Sequence, residues 1–314
     1  MTIAASKPSQ PTPVRTTSTV AASPASPSTG TPWRAYVPLW LASAPAFMLF
    51  ATLVFVPLAM TLVLTFYRFD PSSGPIAAFQ FGNYVEVVGS PYYQTIFART
   101  FAIAFVTTVA CVAIGAPEAY VLSRMRDPWR SLFLLAILAP LLVSVVVRAF
   151  GWSMLLNTNG LVNQAFALFG LGPFKLEYTS FAIVIALVHV MLPFMVIPVW
   201  TALQRLDPQT EQAALSLMAT PWVTLYRIVL PQVMPGILSG CLMVFGLSAS
   251  AFAIPGLLGG RRLKMAATAV YDQFLGSLDW PLGATIALLL LAANLAVMLT
   301  YYRVLERRYA RSMG

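Results

Sequence analysis

Six apolar runs, each long enough to cross a bilayer, alternate with short polar stretches along this chain. A helical span needs about 20 apolar residues, and the runs at 39–66, 101–122, 132–150, 181–203, 237–254 and 282–301 meet that length. Pro45, Pro57, Pro140, Pro193 and Pro198 fall inside them. Proline is tolerated there because neighbouring helices can satisfy the carbonyls it frees. The pattern predicts an all-α integral membrane protein of six helices, without an internal repeat. Residues 1–35 are different: rich in Ser, Thr, Pro and Ala and without periodicity, they predict a disordered tail. No apolar segment closely follows Lys7 or Arg15, so the first span reads as an uncleaved anchor rather than a signal peptide. The expected organisation is a tail over 1–35, then a first helix and outer loop over 36–98. A core transmembrane domain follows over 99–303, and a short tail over 304–314.

One polar interruption has more structure than the others. From Asp207 to Pro231, within a loop expected over 204–235, the residues spell two short helices. Asp207 precedes Pro208, and Thr220 precedes Pro221. A capping side chain followed by proline is a helix start, since proline's missing N–H is an orphan in the first turn anyway. The first helix is predicted to turn Ala214, Leu215, Met218 and, beyond its end, Trp222 to one side. That ridge suits a partner's groove; an amphipathic loop helix on lipid headgroups is the other reading.

Charge gives the bundle a direction. Of 314 residues, 59% are hydrophobic and only 9% charged, where a soluble domain carries about a quarter. The net charge of +9 sits in loops, which bears on topology rather than on nucleic acid. With both termini on one side, that side collects twelve of the 19 lysines and arginines and leaves seven opposite. Positive charge marks the cytoplasmic face, so both termini and the 204–235 loop are expected in the cytoplasm.

The same loop resembles the signature of the permease subunits of bacterial binding-protein-dependent ABC importers, E-A-A-x-x-x-G followed by I-x-L-P. Here it reads Gln212-Ala213-Ala214-x-x-x-Met218, then Ile228-Val229-Leu230-Pro231, with Glu211 beside the glutamine. The resemblance implies the type I importer fold and a cytoplasmic coupling helix that docks on an ATPase. Its coupling residues would be Glu211, Gln212, Ala213, Ala214, Leu215, Met218, Pro221, Leu230 and Pro231. Other segments are similar to the spermidine/putrescine subfamily. They include Pro140-Leu-Leu, Arg148-x-x-x-Trp152-x-x-Leu155-Leu156, Gly160-Leu-Val-Asn163, Leu192-Pro193-Phe194-Met195-x-x-Pro198 and Trp280-Pro281-x-Gly283. The resemblance implies a second permease subunit, an ABC ATPase dimer that binds the ATP, a periplasmic substrate-binding protein and location in the inner membrane. Ferric-iron and opine-type permeases share much of the pattern. Where the family has glycine, Met218 is expected to stay helical, the bend falling at Ala219–Thr220 with Thr220 capping the next helix.

Glu118, Arg148, Trp152, Phe194 and Asp279 are candidates for the translocation path. Glu118 either meets a cationic solute or pairs with Arg124 or Arg126, since intramembrane acids face protein or water. Arg148 either orders a loop or extends to the interface. His189, the only histidine, is expected to be a hydrogen-bonded bundle residue. Asp279 either contacts solute or caps a helix. Lys7, Lys175 and Lys264 are the only lysines, and none belongs to a phosphate-binding glycine loop. No catalytic residue, cofactor or metal ligand set is expected in this chain. A secondary transporter would need functional ionisable groups in its spans, and a membrane scaffold would not need the 207–231 loop.

Overall fold

A computed structural model describes residues 39–260 and 262–312. The chain divides into two compact units, Met1–Leu53 and Val54–Gly314. The first contributes helical residues 39–53, and the expected tail over 1–35 lies outside the described residues.

Helix α1 (Leu39–Leu64) runs through both of its prolines. A small antiparallel hairpin follows, β1 (Arg68–Asp70) and β2 (Gly74–Ile76), with Phe69 opposite Pro75. Asp70 closes its turn: one carboxylate oxygen accepts the Ser72 N–H at 2.8 Å and the Ser72 hydroxyl at 2.6 Å. The Ser72 hydroxyl, then its N–H, hold this carboxyl below its ordinary pKa. Helix α2 (Gly82–Gly89) returns the chain to the bundle. Asn83, buried in that helix, donates to the carbonyls of Thr65 at 2.8 Å and Tyr67 at 2.9 Å, satisfying the orphan acceptors beyond α1.

Helix α3 (Pro91–Arg124) begins ten residues before the expected start. Beyond it come α4 (Trp129–Leu142), α5 (Val145–Leu156) and α6 (Leu161–Leu168). The expected third span, 132–150, is not one helix. It breaks at Val143–Ser144, and the axis bends by 97° between Trp129–Leu142 and Val145–Leu168. Apolar length concealed the break: Ser144, extended at φ −54° and ψ 136°, occupies the N-cap position of α5, although its hydroxyl makes no capping bond. Asn163 staples the far end of this arm, accepting the Phe174 N–H at 2.9 Å and donating to the carbonyls of Asn157 and Phe174.

Helix α7 (Ser180–Gln204) crosses as expected, with Pro193 and Pro198 inside it. After α8 (Pro208–Ser216) and α9 (Pro221–Thr224), the chain does not pause before the next span. A π-turn over Leu225–Val229 joins α9 to α10 (Leu230–Ala249) as one helix of 29 residues, Pro221–Ala249. The expected run at 237–254 therefore starts too late and ends too late. Pro231 has no N–H to give, and the helix passes it by widening: Leu230 N–H bonds the Leu225 carbonyl five residues back. Short helices α11 (Ala253–Leu258) and α12 (Ala266–Tyr271) and a second π-turn, Asp272–Ser277, lead to α13 (Trp280–Ser312). That last helix continues through most of the segment expected as a tail.

The core lies where α3, α7 and α10 pack together, with Leu122, Ile183, Leu187, Met195, Val196 and Val244 fully buried. Without a hydrophobic drive between helices in lipid, close approach of backbones replaces it, and small residues permit that approach. A Cβ on Gly115 would stand 2.9 Å from Met195 Cγ, and one on Gly240 2.8 Å from Met195 Sδ. At Gly236 it would stand 2.7 Å from the Pro198 carbonyl oxygen.

Candidate functional site

The 207–231 loop begins as its residues predict. Asp207 Oδ1 accepts the Gln209 N–H at 2.9 Å, so a capping carboxylate and Pro208 start α8. Its other end departs from expectation. Met218 has φ 62°, in the left-handed region, and does not continue the helix. The Ala219 N–H closes the turn onto the Ala214 carbonyl at 3.2 Å, the six-to-one bond that a residue in this conformation permits. Methionine costs about 1–2 kcal/mol more than glycine here, and the closing bond holds it nonetheless. Thr220 occupies the N-cap position of α9, yet its hydroxyl makes no capping bond.

The exposed face also differs from the expected ridge. Ala214 is buried within the chain at 8% exposure, while Leu217 is 83%, Met218 93% and Trp222 79% exposed. Tyr226, one turn beyond Trp222, extends the patch. Ending the helix at Ser216 turns Leu217 outward, and a helix from Pro221 into the span places Tyr226 on the same side as Trp222. Of the other expected coupling residues, Gln212, Ala213, Pro221 and Pro231 are exposed and Leu230 is half-buried. The Leu215 side chain lies outside the described residues.

Glu211 faces the bundle and forms an ion pair with Arg124 at the end of α3. The Arg124 guanidinium also stands 5.1 Å from the Tyr120 ring centroid. That pairing settles Glu118 differently from one expected alternative: Arg124 is taken by Glu211. Glu118 Oε2 is shielded from solvent and has no hydrogen-bond partner among the described residues. An acid inside a span faces protein or water rather than lipid.

Elsewhere in the bundle the structure joins one candidate, Trp152, to the histidine. Trp152 Nε1 donates to His189 Nδ1 at 3.3 Å, with ring centroids 5.8 Å apart. The histidine is thus hydrogen-bonded, as expected, with its Nδ1 an acceptor. Arg148, one turn before Trp152 on α5, keeps Nε and Nη1 buried without partners among the described residues. Phe194 packs half-buried against the core on α7. Asp279 sits apart from these as the cap of α13, accepting the Leu282 N–H at 3.0 Å. Burial pushes its carboxyl above the ordinary carboxylate range, opposed by that N–H. Among the described residues, no group of three or more His, Cys, Asp or Glu side chains is placed to hold a metal.

The spermidine/putrescine transport system permease protein PotB of Escherichia coli (strain K12) is 31% identical over 252 residues, spanning 80% of this chain and 91% of that protein. The chain belongs to this family of ABC importer permeases. PotB of Haemophilus influenzae is 28% identical over 261 residues, covering 82% of the permease and 91% of the relative. The fold agrees. The crystal structure of a bacterial alginate ABC transporter in complex with an alginate pentasaccharide-bound periplasmic protein contains a chain that superposes with TM-score 0.70 at 16% identity. The match covers 86% of the permease and 94% of that chain. No family model matches the sequence.

Proposed function

We propose that this permease imports a polyamine such as spermidine or putrescine across the inner membrane, with both termini in the cytoplasm and α8 presented to an ABC ATPase dimer. The observation that carries the cargo reading is the 31% identity extending over 91% of E. coli PotB. A second permease subunit completes the path, a periplasmic binding protein delivers the polyamine, and ATP is bound and hydrolysed on the partner ATPases. The exposed Leu217, Met218, Trp222 and Tyr226 form the apolar patch for docking, since a partner's groove gains most from large apolar and aromatic anchors. The Arg124–Glu211 pair ties the docked element to α3, so movement of the ATPases reaches the core. The ATPase shifts the bundle only because it binds the inward and outward states differently.

The test is uptake of labelled putrescine and spermidine by vesicles holding all components, with ferric and opine-type solutes as competitors. Polyamine uptake that requires ATP and the binding protein is expected. Background polyamine uptake beside import of a competitor overturns the cargo reading. A periplasm-only reporter fused after residue 215 is expected to be silent and one near residue 165 active; the reverse overturns the orientation.

A further inference from the structure

At the end of the bundle away from α8 lies a cavity of about 790 Å³, between α5, α11 and the α12 region. Its lining includes Phe252, Lys264, Thr268, Tyr271, Asp272 and Ser277. Phe252 and Tyr271 stack with centroids 5.9 Å apart and planes at 17°, and both rings are about half exposed. Beside them Lys264 Nζ meets Asp272 Oδ2 at 2.7 Å, with side chains 30% and 45% exposed.

The segment bearing Lys264 is held in place by the bundle. Arg99 Nη1 donates to the carbonyls of Arg262 and Lys264 at 3.2 and 3.3 Å, and the Ala266 N–H donates to Thr100 Oγ1 at 2.8 Å. Met265 between them is fully buried. The carboxylate stands at the head of a π-turn, a widened turn that recurs at functional sites.

A lysine side chain is an ammonium on four methylenes, the same chemistry as one end of an aminobutyl diamine. The structure therefore shows an aminobutyl ammonium seated on a carboxylate, in a cavity also lined by the stacked Phe252 and Tyr271 rings and with room for a second. We infer that this cavity receives one ammonium terminus of the cargo, with Asp272 as its carboxylate and Phe252–Tyr271 as its aromatic wall. Lys264 is a tethered competitor, holding Asp272 until cargo displaces it. The inference rests on the polyamine reading above. A half-exposed ion pair is weak, so a free ammonium can replace it, and an aromatic face favours a cation in a partly dry site. Releasing Lys264 into the cavity mouth also prevents the two cations from sharing one carboxylate.

The experiment measures binding of labelled putrescine to the purified permease–ATPase complex without the binding protein, alongside uptake with it. Asp272→Asn is expected to weaken binding about tenfold, the scale of one ammonium–carboxylate contact. Lys264→Met, which keeps the stem and removes the competitor, is expected to tighten it about threefold. Asp272→Glu is expected to retain binding, and gel filtration checks that each complex assembles. A purely structural clasp predicts the opposite relation, with Asp272→Asn and Lys264→Met shifting binding in the same direction or not at all. That result, or a wild-type complex that imports putrescine yet binds none alone, overturns the inference and leaves the cargo reading standing. Failure of the wild type to import any polyamine overturns both.

Discussion

Helix α7 and the α4–α5 arm are both apolar and both contain proline, yet one crosses as a single helix while the other turns by 97°. Pro193 and Pro198 free the carbonyls of His189 and Phe194, and α7 continues past both. Gly115, Gly236 and Gly240 let α3 and α10 close on either side of Met195 and Pro198, so packing holds a helix that its own hydrogen bonds leave incomplete. The arm has less to hold it. In α4 only Ile137 is buried, and in α5 only Ala149 and Leu156. The chain turns just past Pro140, with Ser144 at the N-cap position of α5 but making no side-chain capping bond. The difference teaches that in this bundle close backbone contact decides whether a local break signal is obeyed.

The largest test of that comparison places the same methyl group in both regions. Gly236→Ala puts a Cβ 2.6 Å from Ala202 Cβ and 2.7 Å from the Pro198 carbonyl oxygen, where neither backbone can move away cheaply. Destabilisation of about 1–3 kcal/mol is expected from such overpacking, read as a lower melting temperature of the detergent-solubilised complex. Gly151→Ala on α5 meets nothing within 4 Å and is expected to be neutral or to stabilise by about 0.5–1 kcal/mol. Equal melting shifts for the two variants would break the comparison.

A smaller test concerns the end of α8, where local preference is again overruled. Met218→Gly relieves the left-handed conformation at φ 62° and is expected to stabilise the turn by about 1 kcal/mol. Slower hydrogen exchange at the Ala219 amide would register it. Because the variant also removes an exposed side chain from the proposed docking patch, that proposal expects co-purification with the ATPase to fall while the turn grows firmer. Faster exchange at Ala219 would show that the methionine was not strained.

The smallest effect is expected at the Arg124–Glu211 pair. Glu211→Gln removes a partly exposed ion pair, worth at most about 1 kcal/mol after screening, so melting should hardly change. The expected change is in transport: uptake per ATP hydrolysed falls, because α8 is no longer tied to α3 by charge. A wild-type ratio of uptake to hydrolysis would remove this pair from the coupling route.

The sequence by itself determined the membrane-spanning class, the approximate positions of five spans and the start of α8. Those properties depend on neighbouring residues: 20 apolar side chains favour a helix in lipid wherever they lie, and Asp207 before Pro208 caps a helix with atoms two residues away. The Gln212-Ala213-Ala214 signature also marked the transporter class, which the relatives bear out. Only the tertiary structure decided the bend at Ser144, the joining of α9 to α10 past Pro231, the burial of Ala214 and the backbone of Met218. Each of these depends on which carbonyls and side chains stand opposite. The same holds for the pairing of Arg124 with Glu211 and of Trp152 with His189, residues 87 and 37 positions apart. Spacing along one helix cannot show such partners, because they arise only when α3 meets α8 and α5 meets α7.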